Sequence, residues 1–213
     1  MNATARRPRI RPWLPITVAF LVVAGVGLAT TKYVSIEEAT AAASAGSFDP
    51  VTYADERFES EVVPQIEEDA VDLATLLADI EAGADEGEFG HAPGEGSSYS
   101  FPVTFTGTAG ALNGSILPVT VDGVPGEVTV QLQVGPALNG TALRDVTGTV
   151  SFNDFTNQLE FQEVATEFNN RVRDGILAEV GAISEGQTVT VTGAFTRVNP
   201  ALVSVVPVAI EVE

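Results

Sequence analysis

The spacing of apolar residues changes period along this chain, and the order of those periods constrains the fold more than any single motif. From about Pro64 to Ala82, Ile66, Ala70, Leu73, Leu77 and Ile80 recur at steps of four, three, four and three. Glu67, Glu68, Asp72 and Asp79 face away, so the segment reads as one amphipathic helix. Period two takes over at Tyr99, where Phe101, Val103 and Phe105 alternate with Ser100, Pro102 and Thr104. Ile116 to Val121 and Val128 to Val134 flank Asp122-Gly123, a hairpin signal. A further strand is expected from Leu143 to Phe152. The helical period then returns, with Asn157 and Glu160 as a capping pair, Phe161, Val164, Ala165, Phe168, Val172 and Ile176 on one stripe, and Gly181 as the stop. Thr188 to Gly193 and Val203 to Val212 close the chain as strands. In the C-terminal part the order strand, strand, strand, helix, strand, strand is compatible with a five-stranded oligonucleotide/oligosaccharide-binding (OB) barrel with a plugging helix around one core. The expected class is α+β, mainly β.

From Pro12 to Thr31 no residue carries a charge. Twenty helical residues at about 1.5 Å each span roughly 30 Å, one hydrocarbon thickness. Pro12 and Pro15 fall in the first turn, where proline is tolerated. Arg6, Arg7, Arg9 and Arg11 precede the run and Lys32 follows it. That bias predicts a single-pass anchor with its N-terminus cytoplasmic and its body outside. Gly27-Leu28-Ala29 resembles a signal-peptide cleavage site, so secretion after cleavage is the alternative. The chain accordingly divides into a basic tip (1–11), an anchor or signal (12–31), a stalk and linker (32–60), a helical subdomain with an acidic loop (61–98) and an OB-like β domain (99–213).

Charge and composition exclude several functions. The 213 residues hold 29 acids against 10 bases, a net charge of -19. From Lys32 onward six bases face all 29 acids, giving 6 - 29 = -23. Such a body repels a phosphate backbone, so no nucleic-acid partner is expected. The sequence has no cysteine, which removes disulfides, thiolate metal sites, cysteine nucleophiles and lipid attachment through cysteine. His91 is the single histidine, and no Gly-x-Ser-x-Gly elbow, phosphate-binding loop or dinucleotide fingerprint is present. No cofactor, metal or catalytic set is expected.

The most specific stretch is Gly135-Pro136-Ala137-Leu138-Asn139-Gly140-Thr141-Ala142-Leu143-Arg144-Asp145, followed by Phe152-Asn153-Asp154-Phe155-Thr156-Asn157-Gln158. With Phe48-Asp49-Pro50 and Val206-Pro207-Val208, it resembles the domain of unknown function 2291 family of predicted periplasmic lipoproteins from about residue 45 onward. The resemblance implies a small helical subdomain beside an OB-like barrel, displayed outside the membrane, and an association with sugar ABC importers. No catalytic residues come with it. The missing cysteine departs from the lipoprotein description and leaves residues 12–31 to do any anchoring.

Candidate ligand contacts are Arg144, Asp145, Asn153, Asp154, Asn157 and Gln158. An arginine fork suits bidentate recognition, and amides beside Phe152 and Phe155 are the groups that hold a small sugar. In a strand, Arg144 and Asp145 would point to opposite faces and not pair. The structural alternatives are a buried arginine satisfying a carboxylate, and helix caps at Asp154 and Asn157. Asp145 with Asp154 is the pair a glycan-cleaving enzyme would use, given a separation of roughly 5 to 9.5 Å. His91 with Asp85, Glu86, Glu88 and Glu95 reads as a mobile solvated loop. The expected function is a non-enzymatic, membrane-tethered module serving sugar import; a glycan-acting enzyme and a small polar-ligand binder are the alternatives.

Overall fold

The structure, a computed structural model, describes residues 48–213. The basic tip, the uncharged run 12–31 and the stalk as far as Ser47 lie outside the described residues. Among those described, no helix is long and apolar enough to cross a membrane.

The chain opens with helix α1 (Pro50–Arg57), where Asp49 caps the first turn by accepting from the Val51 N–H at 3.1 Å. A π-helical turn, Phe58–Val62, leads into α2 (Val63–Asp69). The stalk expected to reach residue 60 therefore gives way to helix at Pro50, because Ala54, Phe58 and Val62 bury themselves completely. The short strand β1 (Val71–Asp72) follows, then α3 (Leu73–Glu81).

Five strands close the barrel: β2 (Ser100–Ala109), β3 (Ile116–Val121), β4 (Thr129–Gln133), β5 (Thr188–Thr196) and β6 (Leu202–Val212). Their order around it is β2-β3-β4-β6-β5, with β5 returning to β2 and β1 added outside β2. Only β4 with β6 and β1 with β2 run parallel. This is the OB arrangement that the period-two segments imply. Between β4 and β5 lie α4 (Ala142–Asp145), α5 (Gln158–Arg171), a π-helical turn (Val172–Ile176) and α6 (Leu177–Val180). Gly181 ends the helix with φ 72°, as the sequence requires.

Two cores result rather than one. Phe101, Val103, Leu117, Leu132, Val191 and Val205 fill the barrel, and Leu73, Leu76 and Leu77 of α3 join them. The second core packs α1, α2, α4 and α5 against Ala194, Val206 and Val208 on the outside of β5 and β6. The inserted helix α5 thus covers the barrel wall, and α3 supplies the side chains that join its interior. Alternation along β6 puts Val205 in the barrel and Val206 outside it, and a β-bulge at Thr192/Gly193 shifts the phase so that Ile210 and Val212 pack on the barrel core while Val206 and Val208 face the helices. Gly193 is required there, since a Cβ would lie 2.4 Å from the Val206 carbonyl.

Three expected elements are corrected. The single helix from Pro64 to Ala82 breaks at Ala70, because Ile66 belongs to the helical core while Leu73, Leu76 and Leu77 belong to the barrel. One straight helix cannot reach both. The strand from Leu143 to Phe152 is instead the turn of helix α4, a loop, and a 3-10 turn at Phe152–Asp154. The loop around His91 is built rather than free: Glu86–Glu88 form a 3-10 turn, Phe89 packs on the barrel core, and His91 bridges Ser100.

Candidate functional site

Arg144 and Asp145 sit on α4, each 4% exposed. On one turn of helix, unlike on a strand, the long arginine side chain can fold back onto its neighbour. Arg144 Nε donates to Asp145 Oδ1 at 2.7 Å, and its Nη1 donates to the Phe161 carbonyl at 2.9 Å. The guanidinium lies 3.5 Å from the centroid of the Phe161 ring. Asp145 Oδ2 accepts from the Thr141 hydroxyl at 2.6 Å. The expectation that the two residues would not pair is therefore overturned, and both carboxylate oxygens of Asp145 are engaged inside the protein.

The surrounding polar groups form one lock between barrel and helices. Gln133, buried at the end of β4, donates to the Asn139 carbonyl at 3.0 Å and accepts the Asn139 N–H at 2.6 Å. Asn169 of α5 donates to the Gly140 carbonyl at 3.0 Å, and Gln65 of α2 donates to the Thr147 carbonyl at 3.1 Å. Gln133, a buried amide with both ends satisfied, holds the Asn139 loop in one conformation.

Asn153, Asp154, Asn157 and Gln158 are all exposed. Asp154 accepts the Ser151 N–H at 3.0 Å and completes a capping box with it. Asn157 accepts the N–H groups of Leu159 and Glu160 at 2.9 and 3.1 Å, while Glu160 accepts the Thr156 N–H at 2.9 Å. The rings of Phe152 and Phe155 pack on Phe161 at 5.6 and 5.5 Å between centroids. Phe161 therefore links the buried pair to the capped rim, but the six residues do not share a cleft. The carboxylates considered for glycan chemistry are both held by structural hydrogen bonds, and that of Asp145 is shielded from solvent.

Arg197 binds Glu86 of the acidic loop at 2.6 Å. Among the described residues no three His, Asp or Glu side chains converge as metal ligands. Tyr53 of α1 buries its hydroxyl without a hydrogen-bond partner among the described residues, and that burial pushes its pKa above the ordinary value.

The open polar face lies elsewhere, on the outside of β4 and β6. Val130 and Leu132 point into the barrel, so Gln131 and Gln133 alternate outward beside Ser204 of β6. Gln131 Nε2 donates to Ser204 Oγ at 3.0 Å. With Asn139, Gly140, Thr196, Val198, Asn199 and Leu202, Gln133 and Ser204 line a groove of about 340 Å³ that contains no charged side chain. Asn199 accepts the Ala201 N–H at 3.0 Å, which fixes its amide at the rim. Sequence reading missed this groove because its residues come from three separate segments. The readable trace was the outward phase of Gln131 and Gln133.

Residues 18–211 match the family model described as predicted periplasmic lipoprotein (DUF2291). The chain belongs to this family. The family's description is of predicted periplasmic, hence extracytoplasmic, lipoproteins, and its function is unknown. Among solved structures, an OB-fold protein of Thermotoga maritima is similar at a TM-score of 0.60 and 20% identity, covering 78% of this chain and 99% of its own. That likeness establishes the fold. Comparison with curated proteins gives no match. The stretch that carries the family resemblance, Gly135 to Asp145 and Phe152 to Gln158, is the polar lock and the caps just described.

Proposed function

We propose that this DUF2291 chain is a non-catalytic extracytoplasmic binding module, tethered at the membrane, whose barrel groove takes a small neutral polyhydroxylated solute. The observation that carries this reading is an uncharged groove of amides and hydroxyls on a body of net charge -23. Each sugar hydroxyl both donates and accepts, and Asn, Gln, Ser and Thr side chains answer in kind. Val198, 78% exposed, and the half-buried Leu202 offer apolar surface to sugar C–H faces. The role as accessory to a sugar ABC importer rests on the family resemblance.

Thermal unfolding of the full chain in detergent, across a panel of mono- and disaccharides, tests the binding reading. One sugar should raise the midpoint saturably, since ligand at 100 times its Kd adds about 2.7 kcal/mol. Asn199→Ala should weaken that response by about tenfold, the loss of one good hydrogen bond. No response to any sugar at millimolar concentration would reject the groove as a sugar site. Copurification of importer components from membranes tests the accessory role separately.

A further inference from the structure

Around the groove between β4, β6 and the Asn139 loop, one hydrogen-bond acceptor after another is engaged within the protein. The Asn139 carbonyl accepts from Gln133 at 3.0 Å, and the Gly140 carbonyl accepts from Asn169 at 3.0 Å. At the end of β5, the Thr196 carbonyl accepts the Val198 N–H at 3.0 Å, and the Asn199 carbonyl accepts the Leu202 N–H at 3.1 Å. The side-chain oxygens follow the same rule. Gln133 Oε1 takes the Asn139 N–H at 2.6 Å, and Asn199 Oδ1 takes the Ala201 N–H at 3.0 Å.

Donors predominate among what remains. A backbone N–H needs an acceptor, so the Ala201 contact fixes which way the Asn199 amide points and leaves Nδ2, a donor only, to face a ligand. Ser204 Oγ accepts from Gln131 Nε2 at 3.0 Å, which leaves its own proton to be donated. Gln133 clamps both main-chain groups of Asn139, so this residue meets a ligand through its exposed side chain. Asn139, Asn199 and Ser204 all line the one groove.

This imbalance selects among polar solutes. A sugar hydroxyl brings a proton as well as an oxygen, and against this surface the proton finds few open acceptors. A carbonyl oxygen only accepts. So does a carboxylate, but it would carry negative charge onto a body of net charge -23 through a groove with no cationic side chain. A neutral amide carbonyl meets both conditions. Exposed Val198 and half-buried Leu202 add apolar surface against which a methyl group can pack. A carbonyl, a methyl and one N–H, the last suited to the Asn139 side-chain oxygen, together make an acetamido group. We propose that the groove takes an N-acetylated amino sugar, its acetyl oxygen accepting from Asn199 Nδ2, its methyl lying on Leu202 and Val198, and Ser204 donating to a further sugar oxygen. The proposal rests on the reading of this groove as a sugar site and adds its specificity.

Titration calorimetry on the full chain, in a detergent without a sugar headgroup, tests this with N-acetylglucosamine against glucose, N-acetylgalactosamine against galactose and N-acetylmannosamine against mannose. One N-acetyl sugar should bind about tenfold or more tighter than every parent hexose, the difference that one hydrogen bond and a covered methyl supply. Asn199→Asp keeps the oxygen that accepts the Ala201 N–H and replaces the donor by an acceptor, so it should abolish that preference without unfolding the loop. A parent hexose bound as tightly as the best N-acetyl sugar would overturn the proposal and leave the groove a sugar site. Undiminished preference in Asn199→Asp, or equally tight binding of glucuronate, would overturn it as well. Absence of binding by every sugar would reject the sugar reading itself, and the proposal with it.

Discussion

Arg144 and Asp145 owe their burial to each other and to Thr141 and the Phe161 carbonyl. Removing one member leaves the other charged and enclosed, so Asp145→Ala should cost about 3–5 kcal/mol in urea unfolding. The double variant Arg144→Met/Asp145→Ala should lose less than the sum of the single variants, since it leaves no orphaned charge. Tyr53 poses the opposite case, a buried hydroxyl with no hydrogen-bond partner among the described residues. Tyr53→Phe should hold or raise stability, by up to about 1 kcal/mol. The sign with pH follows from the raised pKa. The folded state favours the neutral phenol, so its contribution is complete below the unfolded pKa of about 10 and is lost as pH rises through the folded value. Stability measured from pH 9 to 11 should therefore fall less in Tyr53→Phe than in the parent. At this scale the sequence marked Arg144 and Asp145 as an unusual charged pair and misjudged their direction. Adjacent charges in an expected strand diverge, whereas on a helical turn the same two side chains meet.

Caps and breaks set the elements. The pairing of Asn157 with Glu160 was readable because three residues of spacing suffice to define a capping box, and Gly181 was readable because a left-handed stop needs glycine. The break at Ala70 was not readable. The apolar period runs through Ala70 to Leu73 without a gap, and only tertiary structure assigns its two halves to different cores. There, Asp72 restarts the helix by accepting the Thr75 N–H at 2.9 Å. Asp72→Ala should cost about 1 kcal/mol in chemical unfolding, the usual loss of an N-cap. Were Pro64 to Ala82 one continuous helix, the substitution would be neutral. Local propensity also misled between Leu143 and Phe152. Val146, Thr147, Thr149 and Val150 suggest a strand, but Val146 and Val150 pack into the helical core and Thr147 offers its carbonyl to Gln65. The groove on β4 and β6 escaped for a related reason: parallel pairing of distant strands leaves no mark in sequence spacing.

For the molecule as a whole, the question is whether barrel and helical layer are two units or one. Neighbouring residues on the same strands answer it. Phe195 fills the barrel while Ala194 packs under the helices, and Val205 and Val206 divide in the same way. Strands β5 and β6 are thus walls common to both cores, and neither core can lose packing without exposing the back of the other. The lock of Gln133, Asn139 and Asn169 adds hydrogen bonds across the same boundary. Phe168, fully buried among the helices, is the sharpest probe. Phe168→Ala should cost about 3–5 kcal/mol. Because the cores share walls, that loss should lower the midpoint equally whether followed at Tyr53 in the helical layer or at Tyr99 beside the barrel core. A helical layer that melted first would give two midpoints in the variant, with Tyr99 unchanged from the parent. Coincident midpoints would mean that any ligand held in the groove between β4, β6 and the Asn139 loop stabilises the helices as well as the barrel.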